Sequence, residues 1–422
     1  MVMSKDTRLR FQTRRLGAAG LVLTAALPCY AWGADISVTS AYLSPEVYWY
    51  PQNGASIQDH GNAALAGSAE LFTYLPRNWS LKATPYGRVD FVDDNRHRVD
   101  FKELDFEYFH NSHIVNIGLR HVSWSTVEAV NVLPLQVADV INQRDIAGDP
   151  AGQDKLGAPS MRYAYQAESM QYEVYALPWF RERTLPSREA RENPTRGQLE
   201  FDEDDALFTD DRDNHRLGYA LRVEKVTGEV NLAAFHYDGY RQDPLFVPGA
   251  EPGHLRPLYY KVRTTGFTVQ GTAGSWLYKG EFAYNNTEES NSRYALPTDF
   301  FAAVTGAEYT FIRPEEQADL SVFAEYIYDS RGDGALGTPF DQDLFVGVRW
   351  ASNDYNDSTL IVGAIADLNH SAAVYHLNFK RRLTPNIAMK LTLRGYDPDD
   401  SDPLYPLRDD PLINASFTYY FD

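Results

Sequence analysis

The chain has 422 residues, with 39 Lys and Arg against 58 Asp and Glu, for a formal net charge of −19. That balance excludes a nucleic-acid-binding surface, which needs clustered basic residues, and simple docking onto anionic lipid. Mean hydropathy is −0.43, yet 14% of the residues are aromatic and 28 are Tyr. A soluble secreted domain rarely uses so many tyrosines, whereas a membrane β-barrel places Tyr and Trp in girdles at both interfaces.

Arg8, Arg10, Arg14 and Arg15 precede an apolar run at residues 16–27, which Pro28 ends. The run is too short for a spanning helix, which needs roughly 20 residues. Small residues follow at Cys29-Tyr30-Ala31 or Ala31-Trp32-Gly33. The expectation is a secretory signal peptide over 1–33 and a mature chain over 34–422. Arg14-Arg15 as a twin-arginine signal lacks the aromatic that follows in such signals, and Pro28 before Cys29 fits a lipoprotein site badly. Cys29 is the only cysteine, so the mature chain has no disulfide. Its stability has to come from another source, such as lateral closure of a sheet.

The dominant period after residue 34 is two. Over 79–91, Trp79, Leu81, Ala83, Val89 and Phe91 alternate with Ser80, Lys82, Thr84, Arg88 and Asp90. Similar alternation recurs at 102–109, 275–285 and 387–394. Short turns are expected near Pro76-Arg77, Asn111-Ser112, Glu168-Ser169, Thr227-Gly228, Ala273-Gly274, Pro314-Glu315, Asn353 to Asn356 and Thr384-Pro385. Between them lie mostly longer polar segments: 51–63, 125–158, 181–214, 239–257, 287–298, 329–341 and 397–410. The short segments 94–98 and 369–370 keep the parity. Alternating short and long connections mark an up-and-down barrel rather than a Greek-key sandwich. The fold class expected is all-β, a transmembrane antiparallel up-and-down barrel of about 18 strands, with 16 as the runner-up. The last strand carries Ile413, Ala415, Phe417, Tyr419 and Phe421 on one face, with Asp422 after the terminal aromatic.

Across its mature length the chain resembles porin-like outer-membrane proteins. The stretch Gly118-Leu119-Arg120-His121-Val122-Ser123-Trp124, then Asn131-Val132-Leu133-Pro134-Leu135 and Asp139-Val140-Ile141-Asn142-Gln143-Arg144-Asp145, looks like a segment of poorly characterised porin-type barrels. The resemblance implies an outer-membrane location and assembly by the barrel-assembly machinery. It also implies contact with lipid and lipopolysaccharide, and homo-oligomers are a possibility.

A barrel of this size leaves an aqueous lumen, sometimes narrowed by an infolded loop. The alternation assigns Glu103, Asp105, Glu107, Asp319 and Glu325 to an acidic inner wall. It assigns Arg216, Arg222, Lys261, Arg263, Arg349, Lys380, Lys390 and Arg394 to a basic one. Separated sectors would set up a transverse field; the bland alternative is cross-strand pairing. Segment 125–158 carries Leu133, Leu135, Val137, Val140 and Ile141 and is the candidate constriction, with Asp139, Arg144 and Asp145 facing the channel; an ordinary surface loop is the alternative. Segment 181–214 begins with Arg181, Arg183, Arg188, Arg191 and Arg196 and continues with acids from Glu200 to Asp213. Its default reading is a solvated mobile loop, though the acids could bind Ca²⁺ or Mg²⁺ and the arginines lipopolysaccharide. Asp397, Asp399, Asp400 and Asp402 share that default.

Enzyme readings rank lower. His370-Ser371 are adjacent, but adjacency is not the geometry a nucleophile and base need. His110 and His113 flank a turn. P-loop, dinucleotide and zinc motifs are not found, and Arg331-Gly332-Asp333 is a chance-level adhesion tripeptide. No cofactor or metal is implied, and no nucleic-acid partner. The expected function is passive diffusion of small hydrophilic or charged solutes. An export conduit for an acidic polysaccharide and a non-conducting adhesin or membrane enzyme are the alternatives.

Overall fold

The computed structural model describes residues 36–53, 60–129, 137–148, 154–191, 193–288, 293–311, 318–332 and 340–421. The expected signal segment 1–33, residues 131–135, the Pro314-Glu315 turn and Asp333 lie outside the described residues.

Eighteen strands form one sheet. In chain order they are β1 Ser37–Trp49, β2 Gly61–Leu75, β3 Trp79–Asp90, β4 Arg98–His110, β5 His113–Arg120 and β6 Ala158–Ala167. There follow β7 Met170–Leu177, β8 Gly218–Thr227, β9 Val230–Tyr240, β10 Lys261–Ala273, β11 Trp276–Thr287 and β12 Phe300–Phe311. The last six are β13 Asp319–Asp329, β14 Gln342–Ala351, β15 Thr359–Asp367, β16 Ala373–Thr384, β17 Ile387–Asp397 and β18 Leu412–Phe421. Each pairs antiparallel with its successor, and β18 pairs back onto β1 from Ala41–Phe421 to Trp49–Ile413. The cylinder is therefore closed. Closure removes the sheet edge and satisfies every strand's backbone within the sheet, as lipid requires.

The outer face sorts by height. Tyr74, Phe109, Trp276, Tyr278, Tyr419 and Phe421 are exposed at the short-turn end; Trp49, Phe91, Phe101, Tyr219, Tyr284 and Tyr375 at the long-loop end. Between them Val47, Val174, Leu221, Leu232, Phe267, Val346 and Val362 are exposed. Two aromatic girdles around an aliphatic band are the signature of a membrane-spanning barrel. Among the described residues no helix is long and apolar enough to cross a membrane.

Two local features shape the inner wall. Leu75 pairs with Trp79 across the three-residue turn Pro76-Arg77-Asn78, in which Arg77 and Asn78 both take positive φ, 63° and 64°. Further up, the register between β3 and β4 shifts at Thr84/Pro85, from Thr84–Glu103 to Pro85–Phe101, so that the ladder skips Lys102. Pro85 has no N–H for the ladder, and a bulge absorbs that loss. The bulge turns Lys102 inward, onto the Tyr42 hydroxyl at 3.2 Å and over the Tyr86 ring.

Segment 178–217 departs from the solvated, mobile loop expected of 181–214. Glu200–Phe201 and Leu207–Phe208 pair with His254–Tyr259, which also pairs with Leu245–Pro248. Arg181, Arg183, Arg191 and Arg196 are ion-paired to Asp100, Asp243, Asp410 and Asp409. The charge block is folded because its partners lie in other segments, which its own composition cannot reveal.

Candidate functional site: the lumen and its infolded segment

After β5 the chain turns into the barrel. Val122, Trp124, Val127, Ala129, Val137, Ala138, Val140 and Ile141 join one buried cluster with the inward-facing Tyr175, Phe235, Ala283, Val304, Phe323, Phe345 and Ile365. The wall residues come from seven strands between β7 and β15. The Trp124 ring lies 5.7 Å from Tyr175 and 5.6 Å from Phe235, centroid to centroid. An apolar run that would be costly in water at a surface loop has its counterpart on one side of the lumen.

Polar groups fix that contact. Glu281 on β11 accepts from the Ser125 hydroxyl at 2.6 Å and from the Thr126 and Val127 amides. Glu325 on β13 accepts from the Glu128 and Ala129 amides, both at 2.7 Å. Two buried wall carboxylates thus hold successive backbone N–H groups of the segment. Such charge-assisted bonds are worth about 1.5–3 kcal/mol each. Arg349 on β14 bridges Glu308 at 2.7 Å and Glu128 of the segment. Just past β9, Gln242 donates to the carbonyls of Val140 and Ile141 at 2.8 and 3.1 Å.

Because the segment adheres to β7–β15, the lumen stays open beside β1, β17 and β18. The opening is a cavity of about 540 Å³, walled by Glu46, Lys390 and Arg394 and by Arg144, Asp145 and Asp154 of the infolded segment. Its lining holds five basic side chains, Arg96, Arg144, Arg183, Lys390 and Arg394, against three acidic ones, Glu46, Asp145 and Asp154. Lys380 and Lys390 stand directly opposite each other on β16 and β17, as do His376 and Arg394. Among the described residues no ion pair ties either lysine to a carboxylate. Like charges directly opposed across a strand pair destabilise each other.

The acidic trio of β4 is relieved from its neighbours. Lys82 lies between Glu103 at 2.8 Å and Glu70 at 3.0 Å. Asp105 meets Arg120 at 3.2 Å, and Asn116 donates to Asp105 and Glu107 at 2.8 and 3.1 Å. Arg222 faces inward against Glu173 and Glu224, and Glu325 and Arg349 hold the segment as described. Asp319 sits exposed at the turn end, where Asn353 donates to it at 2.7 Å.

Four expected positions need correction. Lys261 and Arg263 share the outward phase of Phe267, since the buried positions of β10 are Val262, Thr264 and Thr268. Arg216 lies before β8 and turns to Asp238, which is on the outward face of β9. With Asp210 and Glu288 these residues form an ion network above the lipid band. Alternation misassigned Lys261 and Arg263 because basic residues at the outer rim sit in water even on the lipid-facing side. The hydrogen bond from Arg212 holds the Asp210 carboxyl well below the usual carboxylate range. Asp139 does not face the channel: it accepts from the Trp124 and Ser125 amides at 2.9 and 3.1 Å and pairs with Lys155. It shapes the segment's own bend. Arg144 and Asp145 do border the cavity, paired to Asp154 at 2.6 Å and Arg98 at 2.9 Å.

Sequence reading missed Glu46, Arg88, Lys102 and Glu281. Arg88 on β3 donates to both Glu46 oxygens on β1, at 2.7 and 2.8 Å, across the intervening strand β2. Pro85 in mid-strand was the one available signal for Lys102.

No family model matches the chain, and no curated relative matches it. Among solved structures it is similar to Pseudomonas aeruginosa OccK3, with a TM-score of 0.51 and 8% identity over 92% of this chain and 96% of that one. Pseudomonas aeruginosa OccK5 gives 0.50 and 8% over 92% and 98%. A mutant of the Rh. blastica porin gives 0.45 and 11% over 92% and 100%. At these identities the likeness to the two OccK structures shows the fold alone: a closed, porin-like β-barrel.

Proposed function

We propose that the protein is an outer-membrane channel through which small hydrophilic solutes diffuse passively, with a preference for anions. The carrying observation is the 540 Å³ cavity between the infolded segment and β1, β17 and β18, with its excess of basic side chains. A barrel too wide to fill with side chains holds water, and fixed charges on a narrow wall select ions by sign. Lys380 and Lys390, opposed and without carboxylate partners, are the residues to which a passing anion offers most. No enzymatic role is proposed.

Residues 1–33 are proposed as a cleaved export signal. The girdled outer face supports residence in outer-membrane lipid, with lipopolysaccharide against the outer rim and delivery by the barrel-assembly machinery. Self-association into homo-oligomers belongs to the same proposal.

The test is planar-bilayer conductance of the refolded protein with the reversal potential read in a KCl gradient. The expected result is a measurable current carried mainly by chloride. Replacing Lys380 and Lys390 by Glu moves the reversal potential toward that of potassium. A silent bilayer would sink the reading and favour an adhesin or membrane enzyme. A second reading has one observation behind it: Arg183, Arg144, Arg394 and Lys390 all line one cavity, a track suited to an acidic polysaccharide. Polyuronate blocking the current at concentrations where the monomer does not would favour that conduit.

A further inference from the structure

At the long-loop end of the barrel, beside the lumen cavity, carboxylates and an imidazole converge from separate segments. Asp367 ends β15, His370 lies in the turn 368–372, and Asp402 belongs to the segment between β17 and β18. Each offers a ligand atom within 4.8 Å of the others. The turn is built around Asp367, which accepts from the Asn369 and His370 amides at 2.6 and 2.9 Å and contacts His370 Nδ1 at 3.2 Å. Asp402 is held by the Leu404 amide at 2.6 Å.

A second, independent observation points into the same place. Asp343, near the start of β14, is 2% exposed. Its Oδ2 has no hydrogen-bond partner, and the residue lines one small cavity together with Asp367 and Asp402. A buried carboxylate oxygen left unpaired is costly. Three carboxylates around one cavity repel one another unless a cation or a retained proton relieves them. Among the described residues the ion pair recorded for them is with His370; no Lys or Arg reaches them.

We propose that Asp343, Asp367, His370 and Asp402 form a binding site for a first-row divalent cation such as Zn²⁺. The donor set decides the class. Ca²⁺ and Mg²⁺ take all-oxygen ligands, while imidazole combined with carboxylate suits Zn²⁺ and its first-row neighbours. An ion brings the one charge that turns mutual repulsion into attraction and gives the orphaned Asp343 oxygen a partner. Because the ligands come from β14, the end of β15, the 368–372 turn and the 398–411 segment, the ion fastens that last segment to the barrel rim. Leu404 and Leu407 of the same segment border the lumen cavity, so the site stands beside the channel mouth without being part of it.

The experiment uses the full chain, refolded in detergent, stripped with EDTA and titrated with Zn²⁺ by calorimetry. Co²⁺ serves as a spectroscopic probe. The expected result is one Zn²⁺ per chain at micromolar affinity or tighter, and visible Co²⁺ ligand-field bands that Zn²⁺ abolishes. His370→Ala weakens binding at least 30-fold and Asp343→Asn at least 10-fold, while Ser371→Ala leaves it unchanged. His370 lies in a rim turn, so its variant tests the site even if Asp343→Asn fails to fold. No uptake below about 100 μM Zn²⁺, or affinity indifferent to His370→Ala and Asp402→Asn, would overturn the proposal. So would binding of Ca²⁺ alone.

Discussion

At the scale of single residues, backbone geometry and burial set the tolerances. Gly118 has φ +149°, and a Cβ there would lie 1.8 Å from the Leu104 carbonyl oxygen. No side-chain movement relieves a clash with backbone, so β4 and β5 would have to part. Gly118→Ala is expected to lower the refolded fraction sharply, read as loss of the heat-modifiable band in gel electrophoresis; wild-type yield would contradict this. Glu203 is a second case. Burial pushes its carboxyl up to about 7, against the hydrogen bond from the Leu185 amide. An acid raised in the folded state holds its proton there after the unfolded chain has lost it. Stability from this group is therefore present below the ordinary glutamate range and is lost as pH rises toward 7. Hydrogen exchange around residues 183–187, corrected for the intrinsic base-catalysed rate, should accelerate between about pH 4.5 and about pH 7, the window from the ordinary value to the raised one. Glu203→Gln should flatten that profile.

At the scale of elements, the infolded segment is held by acceptors rather than by its own secondary structure. Glu281 and Glu325 supply oxygens to the backbone of 125–129. Glutamine at 325 keeps one acceptor and presents an NH₂ to an amide that has nothing to give it. The double variant Glu281→Gln, Glu325→Gln is expected to leave the barrel folded but free the segment. Single-channel recordings should then show higher mean conductance and more open-channel noise; unchanged traces would mean that apolar packing around Trp124 alone suffices. Strands were legible from sequence because period two and the parity of connections are local properties. The infolding of Val137, Val140 and Ile141 was legible too, from apolar residues with nowhere else to go. Asp139 was not: an acid that caps its own segment's amides has the same composition as one that faces water. Lys102 escaped because a bulge opposite Pro85 breaks the alternation, and Lys261 and Arg263 were misassigned because the rule weakens where the barrel leaves the lipid.

At the scale of the whole molecule, two charge patterns coexist. The chain carries −19 overall, yet the cavity lining is net basic. The surplus acid lies elsewhere, much of it in the loop-end segments, as in Asp204, Asp205, Asp399 and Asp400. In the proposed channel a solute would meet a diffuse negative field at the mouth and a positive wall inside. The two differ in how salt acts on them. The screening length is about 10 Å at 0.1 M and about 3 Å at 1 M. The outer field, spread over exposed side chains, is screened first; the inner wall, at contact distance from a permeating ion, is screened least. Anion preference should therefore rise as KCl is increased from about 0.01 M, where that length is near 30 Å, to 0.1 M. It should fall only toward 1 M, as contact charges are screened in turn. A channel selecting through its mouth would lose selectivity steadily over the same range. Reversal potentials at a fixed concentration ratio, taken at several absolute concentrations, separate the two. A Lys390→Gln variant that keeps the rise in preference would place the selecting charge elsewhere on the wall.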